Sequence, residues 1–243
     1  MTASAPAEKV AIVTGAGRGI GRSIAIALAA NGVRVVLAAR SEDQIAETAA
    51  RIEADGGQAA AIVADVTNES SICDVVAQTI GRWGRLDILI NNAGVGVFQP
   101  LEETATKTWD EIQDVNARGA FLFCREAIPH LRRQTTSYII NIASVVAVKG
   151  YINQAAYSAS KHALLGMSKA LAKEVQSDGI RVHAINPGGV ATDLVKQARP
   201  DIDPADLIAP EQIANIVVFL VSQSGNAVID EINVRRASST PWA

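Results

Sequence analysis

Residues 10–32 read VAIVTGAGRGIGRSIAIALAANG, and three different patterns follow one another within them. VAIVT is a short β-branched run ended by glycine, too short for a helix and suited to a buried strand. Glycines then stand at 15, 17, 19 and 21, and the apolar residues behind them recur with helical spacing until Asn31 and Gly32 stop them. A strand, a glycine-rich turn and a helix N-terminus in that order make a phosphate site, because unpaired amides and the positive end of the helix dipole face one point. The pattern is T-G-x-x-x-G-x-G from Thr14 to Gly21. It departs from G-x-G-x-x-G, since Ile20 occupies the place of the third glycine counted from Gly15. Gly15, Arg18, Gly19, Ile20 and Gly21 are the candidate contacts for a phosphate-bearing ligand, against the plainer reading that a tight turn needs glycine anyway.

Outward from this unit, residues 33–39 form a second apolar run. Dinucleotide folds place a carboxylate near its end to accept from ribose hydroxyls. This chain has Ala38, Ala39, Arg40 and Ser41 there. An arginine in place of the acid suits a ribose 2′-phosphate, which a guanidinium grips with paired hydrogen bonds, and Arg18 adds a second positive charge. The expected cofactor is therefore NADP rather than NAD, the alternative being that both arginines are solvated surface charges.

Strands and helices go on alternating. Residues 41–55 read as a helix closed by Gly56 and Gly57, residues 58–64 as a third strand, and residues 69–83 as a helix. Asp65, at the end of the third strand, either caps the next helix or accepts from an adenine amino group, and Val66 beside it offers backbone. A fourth strand, LDILINNAG, runs out into Asn91, Asn92, Ala93 and Gly94, small residues that let backbone approach a ligand or simply turn. Residues 106–133 read as one long helical region with Asn116 inside it, a residue that bonds local backbone or kinks a helix around a water.

A fifth strand, 138–143, ends at Ser144, where a hydroxyl faces the crevice in which open α/β sheets bind ligands. Tyr157 and Lys161 follow, i and i+4 on a segment helical from about Gln154, which places a phenol beside an ammonium. A phenol titrates near ~10. A neighbouring positive charge lowers that value and makes the phenol a usable acid or base, while Ser144 can hydrogen-bond a carbonyl oxygen that gains charge. A sixth strand, 180–185, leads into Pro187, Gly188, Gly189, Val190, Ala191 and Thr192. Residues 193–210, with Pro200, Pro204 and Pro210, are irregular and read as a substrate lid or a plain surface connection. A helix over 210–223 and a strand over 227–234 complete the chain.

This alternation predicts an α/β fold: one doubly wound parallel β-sheet of about seven strands flanked by helices. One domain over 9–243 is expected, preceded by a flexible tail over 1–8. The chain has 243 residues, 49% of them hydrophobic, and a formal net charge of -3. That supports a large core and gives no electrostatic footprint for nucleic acid or an anionic membrane. Cys73 and Cys124 lack metal-ligand spacing, which suits reduced thiols of an intracellular protein. With no long apolar span and no signal-like N-terminus, a cytoplasmic location is expected. His130, His162 and His183 have no two-His-plus-carboxylate spacing, so no metal site is expected.

Taken together, TGAGRGIG (14–21), NNAG (91–94), Asn116, Ser144, YSASK (157–161) and PGGVAT (187–192) resemble the short-chain dehydrogenase/reductase family along nearly the whole chain. The resemblance implies a Rossmann-type sheet and hydride transfer between a nicotinamide and a carbonyl or alcohol carbon. It implies Tyr157 as proton donor in reduction, with Lys161 lowering its pKa and binding the nicotinamide ribose. Ser144 would orient the substrate oxygen and Asn116 would hold a proton-relaying water. Asn92, Ala93, Gly94, Pro187, Gly188, Val190 and Thr192 would contact the cofactor. A homotetramer or dimer is also implied, although many members end in a glycine-rich tail where this chain has IDEINVRRASSTPWA. The expected activity is NADP-dependent reduction of a ketone or 3-oxoacyl-type substrate. Alternatives are an NAD-linked polyol or hydroxysteroid-type dehydrogenase and a non-catalytic nicotinamide-binding regulator.

Overall fold

The computed structural model describes residues 9–198 and 202–241. The expected tail over 1–8 lies outside them. Seven strands form one sheet in the order β3-β2-β1-β4-β5-β6-β7, with every adjacent pair parallel. They are β1 (Val10–Thr14), β2 (Arg34–Ala39), β3 (Ala59–Val63), β4 (Ile88–Asn91), β5 (Ser137–Ile142), β6 (Ile180–Pro187) and β7 (Glu231–Val234). The order reverses between β1 and β4, and at such a switch point the helices leave on opposite faces and open a crevice above the strand ends.

Two-residue periodicity sorts each strand between two apolar layers. Ala11 and Val13 of β1, Val35 and Leu37 of β2, and Ile88 and Ile90 of β4 pack on one face. There they meet Ile24 and Leu28 of α1 (Gly19–Ala30), Ile45 and Ile52 of α2 (Glu42–Ala54), and Ile213 and Val217 of α8 (Pro210–Ser222). Ile12, Val36 and Leu89 point the other way, onto Ile72 and Val75 of α3 (Glu69–Trp83) and Phe123 of α5 (Gly119–Leu131). Covering both faces explains why these strands read as continuous apolar runs rather than alternating ones.

Helix α3 has the bounds its signals predict: Asn68 Oδ1 accepts from Ser71 N at 3.2 Å, and Gly84 ends the helix at φ 72°. The cap is Asn68, so Asp65 does not fill that role. The long helical region expected over 106–133 runs without a break from Thr106 to Leu131, as α4 (Thr106–Gln113), a π-helical turn (Asp114–Arg118) and α5. Helical periodicity hardly registers one inserted residue, so the π turn is invisible to it. Helix α6 (Ala155–Glu174) carries the Tyr–Lys pair.

Residues 193–198 and 202–210 are more ordered than their prolines suggest, while residues 199–201, with Pro200, lie outside the described residues. They include α7 (Asp193–Ala198) and a 3-10 turn (Pro204–Asp206), and a parallel bridge pairs Val190 with Ile208. Strand β7 is shorter than expected and begins at Glu231, because only from there does the chain pair with β6. Among the described residues, no helix is long and apolar enough to cross a membrane.

Candidate active site

The C-terminal ends of the strands border one cleft of about 1330 Å³. That exceeds the ~300–1,000 Å³ usual for a single small ligand, leaving room for a dinucleotide and a substrate together. Every candidate site residue named above borders the cleft except Gly21 and Asn116.

The glycine turn is fixed by the end of β4. Thr14 Oγ1 accepts from Asn92 N at 2.9 Å and Ala93 N at 3.0 Å and donates to Ile90 O at 3.2 Å. Asn92 Nδ2 returns hydrogen bonds to Thr14 O at 2.9 Å and Gly15 O at 3.3 Å. Gly15 and Gly19 adopt φ of 64° and 54°, left-handed backbone that favours glycine. A Cβ on Gly19 would also stand 3.1 Å from Thr192 Cγ2, closing the gap between the turn and the loop after β6. Gly21 is buried, and a Cβ there would meet Gly15 O at 2.3 Å. It lets α1 pack against the turn rather than touching a ligand in the cleft.

Arg18, Arg40 and Asp65 occupy the far end of this cleft. Arg18 Nη1 lies 3.0 Å from Asp193 Oδ2 on α7, and Arg40 is exposed. Asp65 is held below the usual carboxylate range, first by the Thr67 backbone amide, whose hydroxyl and the Arg40 charge act in the same sense while burial opposes them. Its Oδ1 accepts from Thr67 N at 2.9 Å and Thr67 Oγ1 at 2.8 Å.

At the other end, Tyr157 and Lys161 lie side by side on α6, with Lys161 Nζ 5.8 Å from the phenol ring centroid. Both are buried, and Phe98 meets the Tyr157 ring edge-on at 5.5 Å. The i, i+4 spacing thus puts both groups on one face, turned toward the cleft. Burial pushes the phenol up to about 12, with a Ser144 side-chain hydrogen bond drawing it back, and burial brings the ammonium down to about 8. The expected lowering of Tyr157 by Lys161 is therefore absent from the ligand-free protein, where desolvation dominates. Lys161 Nζ instead donates to Ile142 O at 2.9 Å, anchoring α6 to the end of β5.

Asn116 is buried, and its side chain makes three hydrogen bonds. Oδ1 accepts from Val95 N at 2.8 Å, and Nδ2 donates to Val95 O at 2.8 Å and to Ser160 Oγ at 2.9 Å. Ser160 Oγ in turn donates to Tyr157 O at 2.7 Å. The amide joins the π turn, the loop after β4 and α6, and Asn116 does not border the cleft.

After β6, Gly188 N donates to Val234 O at 2.7 Å, and Ile208 N to Gly189 O at 2.9 Å. The first bond holds the PGGVAT loop against the C-terminal segment and the second against the stretch before α8. The C-terminal segment is the part of the site the sequence did not reveal: Asn233 to Arg236 and Ser239 to Pro241 border the cleft. The one signal was the pair Arg235–Arg236 standing where a glycine-rich tail is common.

Among the described residues, no three of His, Cys, Asp and Glu cluster as metal ligands. Cys124 is buried, which pushes its thiol up to about 12 and leaves it inert.

The sequence profile of the short chain dehydrogenase family matches residues 9–203. A 3-oxoacyl-[acyl-carrier-protein] reductase from Synechocystis sp. is 37% identical over 228 residues, covering 91% of this chain and 92% of that one. Two solved structures superpose closely. A metagenomic short-chain oxidoreductase in complex with NADP does so at TM-score 0.84 and 32% identity, over 95% of this chain and 98% of that one. The alcohol dehydrogenase of the archaeon Thermococcus sibiricus, complexed with 5-hydroxy-NADP, does so at TM-score 0.89 and 27% identity, over 96% of this chain and 99% of that one. This chain belongs to the short-chain dehydrogenase/reductase family. It is an oxidoreductase acting on CH–OH or carbonyl groups.

Proposed function

We propose that the protein is an NADP(H)-dependent carbonyl reductase. The observation that carries this reading is one cleft with an arginine pair and a glycine turn at one end and Ser144, Tyr157 and Lys161 at the other. The residues present fit a nicotinamide dinucleotide: a side chain at Gly19 would close the cleft against Thr192, and one at Gly94 would stand 3.3 Å from Asn116 Oδ1. Arg18 and Arg40 would hold a 2′-phosphate, the turn amides the pyrophosphate, and Lys161 the nicotinamide ribose. The bound dinucleotide supplies the hydride.

The chain's own groups supply the rest. Ser144 orients the substrate oxygen by hydrogen bonding. Tyr157 gives that oxygen a proton as negative charge builds on it. Burial pushes the phenol's pKa up, so at neutral pH it carries the proton that a general acid donates. Phe98 and the Ser144–Val146 turn give the pocket an apolar wall beside the acid.

Tyr157→Phe tests the assignment: carbonyl reduction with NADPH should fall about 10²- to 10⁴-fold while NADPH binding is unchanged. Retention of most of the rate would remove Tyr157 as the acid. NADPH should bind more tightly than NADH, with the difference shrinking in Arg40→Ala; equal affinities in the parent protein would refute the 2′-phosphate assignment.

A further inference from the structure

The cleft is basic although the protein as a whole is acidic. Six basic and two acidic side chains border it, against a net charge of -3 for the chain. A cavity lined in this way concentrates anions. On the reading above, Arg18, Arg40 and Lys161 serve the cofactor. Three cations are left over on the β5–β7 side of the cleft: Lys149, Arg235 and Arg236.

They are not equivalent. Lys149 is engaged elsewhere, and one of its neighbours is the Tyr151 ring, 5.9 Å from Nζ. Arg235 is spent on its own segment: Nη1 donates to Arg236 O at 3.0 Å, Ala237 O at 3.1 Å and Ser239 O at 2.9 Å. Together with Ser239 N donating to Arg236 O at 3.0 Å, these bonds tie residues 235–239 into a tight turn. Arg236 is carried on that turn. Its guanidinium has no hydrogen-bond or ion-pair partner among the described residues, and it is half-buried at the cleft. Its stem runs past the PGGVAT loop, since a Cβ on Gly189 would lie 3.5 Å from Arg236 Cδ and 3.0 Å from Leu207 Cδ2.

We infer that Arg236 is a substrate-binding residue and that the substrate is an oxo acid, its carbonyl at Tyr157 and its carboxylate gripped by the Arg236 guanidinium. A partly buried guanidinium without an acid of its own lacks the partner that such a group usually has, and a ligand carboxylate supplies it with two matched oxygens. One free fork matches one carboxylate, whereas a phosphate dianion calls for a second donor, and Arg235 is already committed. A neutral thioester at this place would leave the charge unmet.

This inference rests on the reductase reading, and the experiment separates the two. NADPH-loaded parent and Arg236→Gln are assayed with acetoacetate and with methyl acetoacetate, which share the ketone but differ in charge and by one methyl group. The parent should favour acetoacetate. Arg236→Gln should lose about 10- to 100-fold in kcat/KM on the acid, the range of one charge-assisted hydrogen-bonded pair, and keep its rate on the ester. Arg236→Lys should recover part of the preference. Calorimetry with butyrate and butyramide gives a readout that needs no turnover: butyrate should bind the parent and not Arg236→Gln. A parent that prefers the ester, equal losses on acid and ester, a fall in NADPH affinity in Arg236→Gln, or no butyrate binding to the parent each overturns the assignment. Binding of butyrate through Arg236 without reduction of either carbonyl compound would leave this site standing and refute the reductase reading instead.

Discussion

Arg18 Nη1 and Asp193 Oδ2 are 3.0 Å apart, an ion pair that ties the glycine turn to the first turn of α7 across the cleft. The two residues are 175 positions apart in sequence, and neither is buried. The bond thus competes for the same guanidinium that a 2′-phosphate needs.

Asp193→Asn should tighten NADPH binding while leaving NADH binding unchanged. An exposed pair is worth ~0–1 kcal/mol, so the gain is at most about fivefold in Kd. Fluorescence titration of both cofactors decides it. Weaker NADPH binding in Asp193→Asn would mean that the pair organises the site rather than competing for it.

Lys161 makes the ligand-free protein more stable as pH rises from about 8 to 10.5. Within that interval the buried amine has lost its proton while the unfolded chain keeps its own, so the unfolded state binds more protons and stability increases with pH. The full gain is about 3 kcal/mol. Below pH 8 both states are protonated and the contribution is constant. Above pH 10 the raised Tyr157 value acts in the opposite sense, since there the folded state retains a proton that the unfolded one has released. Denaturant unfolding of the parent and of Lys161→Met between about pH 7.5 and 10 isolates the effect. A difference between the two that does not change over the interval would refute it.

Gly21→Ala should damage both fold and cofactor binding, although Gly21 does not border the cleft. The added methyl would stand 2.3 Å from Gly15 O and 2.4 Å from Asn92 Nδ2, so the turn and its tie to β4 must shift. An overpacked core site of this kind costs about 1–3 kcal/mol. Thermal unfolding and NADPH titration should both worsen. A variant indistinguishable from the parent in both would show that the turn has room to relax.

Much of the site was legible because its rules are local. Four glycines after a β-branched run specify a phosphate turn by backbone sterics alone, and Tyr157 and Lys161 lie on one face because any helix places i and i+4 together. The strands were found by their apolar runs, to within a few residues. The π turn at Asp114–Arg118 was missed, since it changes the hydrogen-bonding step without changing the composition.

The sequence by itself determined the order of elements, the parallel sheet and the candidates for the reacting side chains, because each of those follows from residues near one another in the chain. Only the tertiary structure decided what surrounds them. Burial pushes the phenol's pKa up; Asn116 bonds Val95 and Ser160; and the last turn of the chain carries Arg236 back to a cleft whose first wall is built near residue 15. Desolvation and contacts between distant segments depend on how the whole chain is packed, and no short window of sequence contains that information.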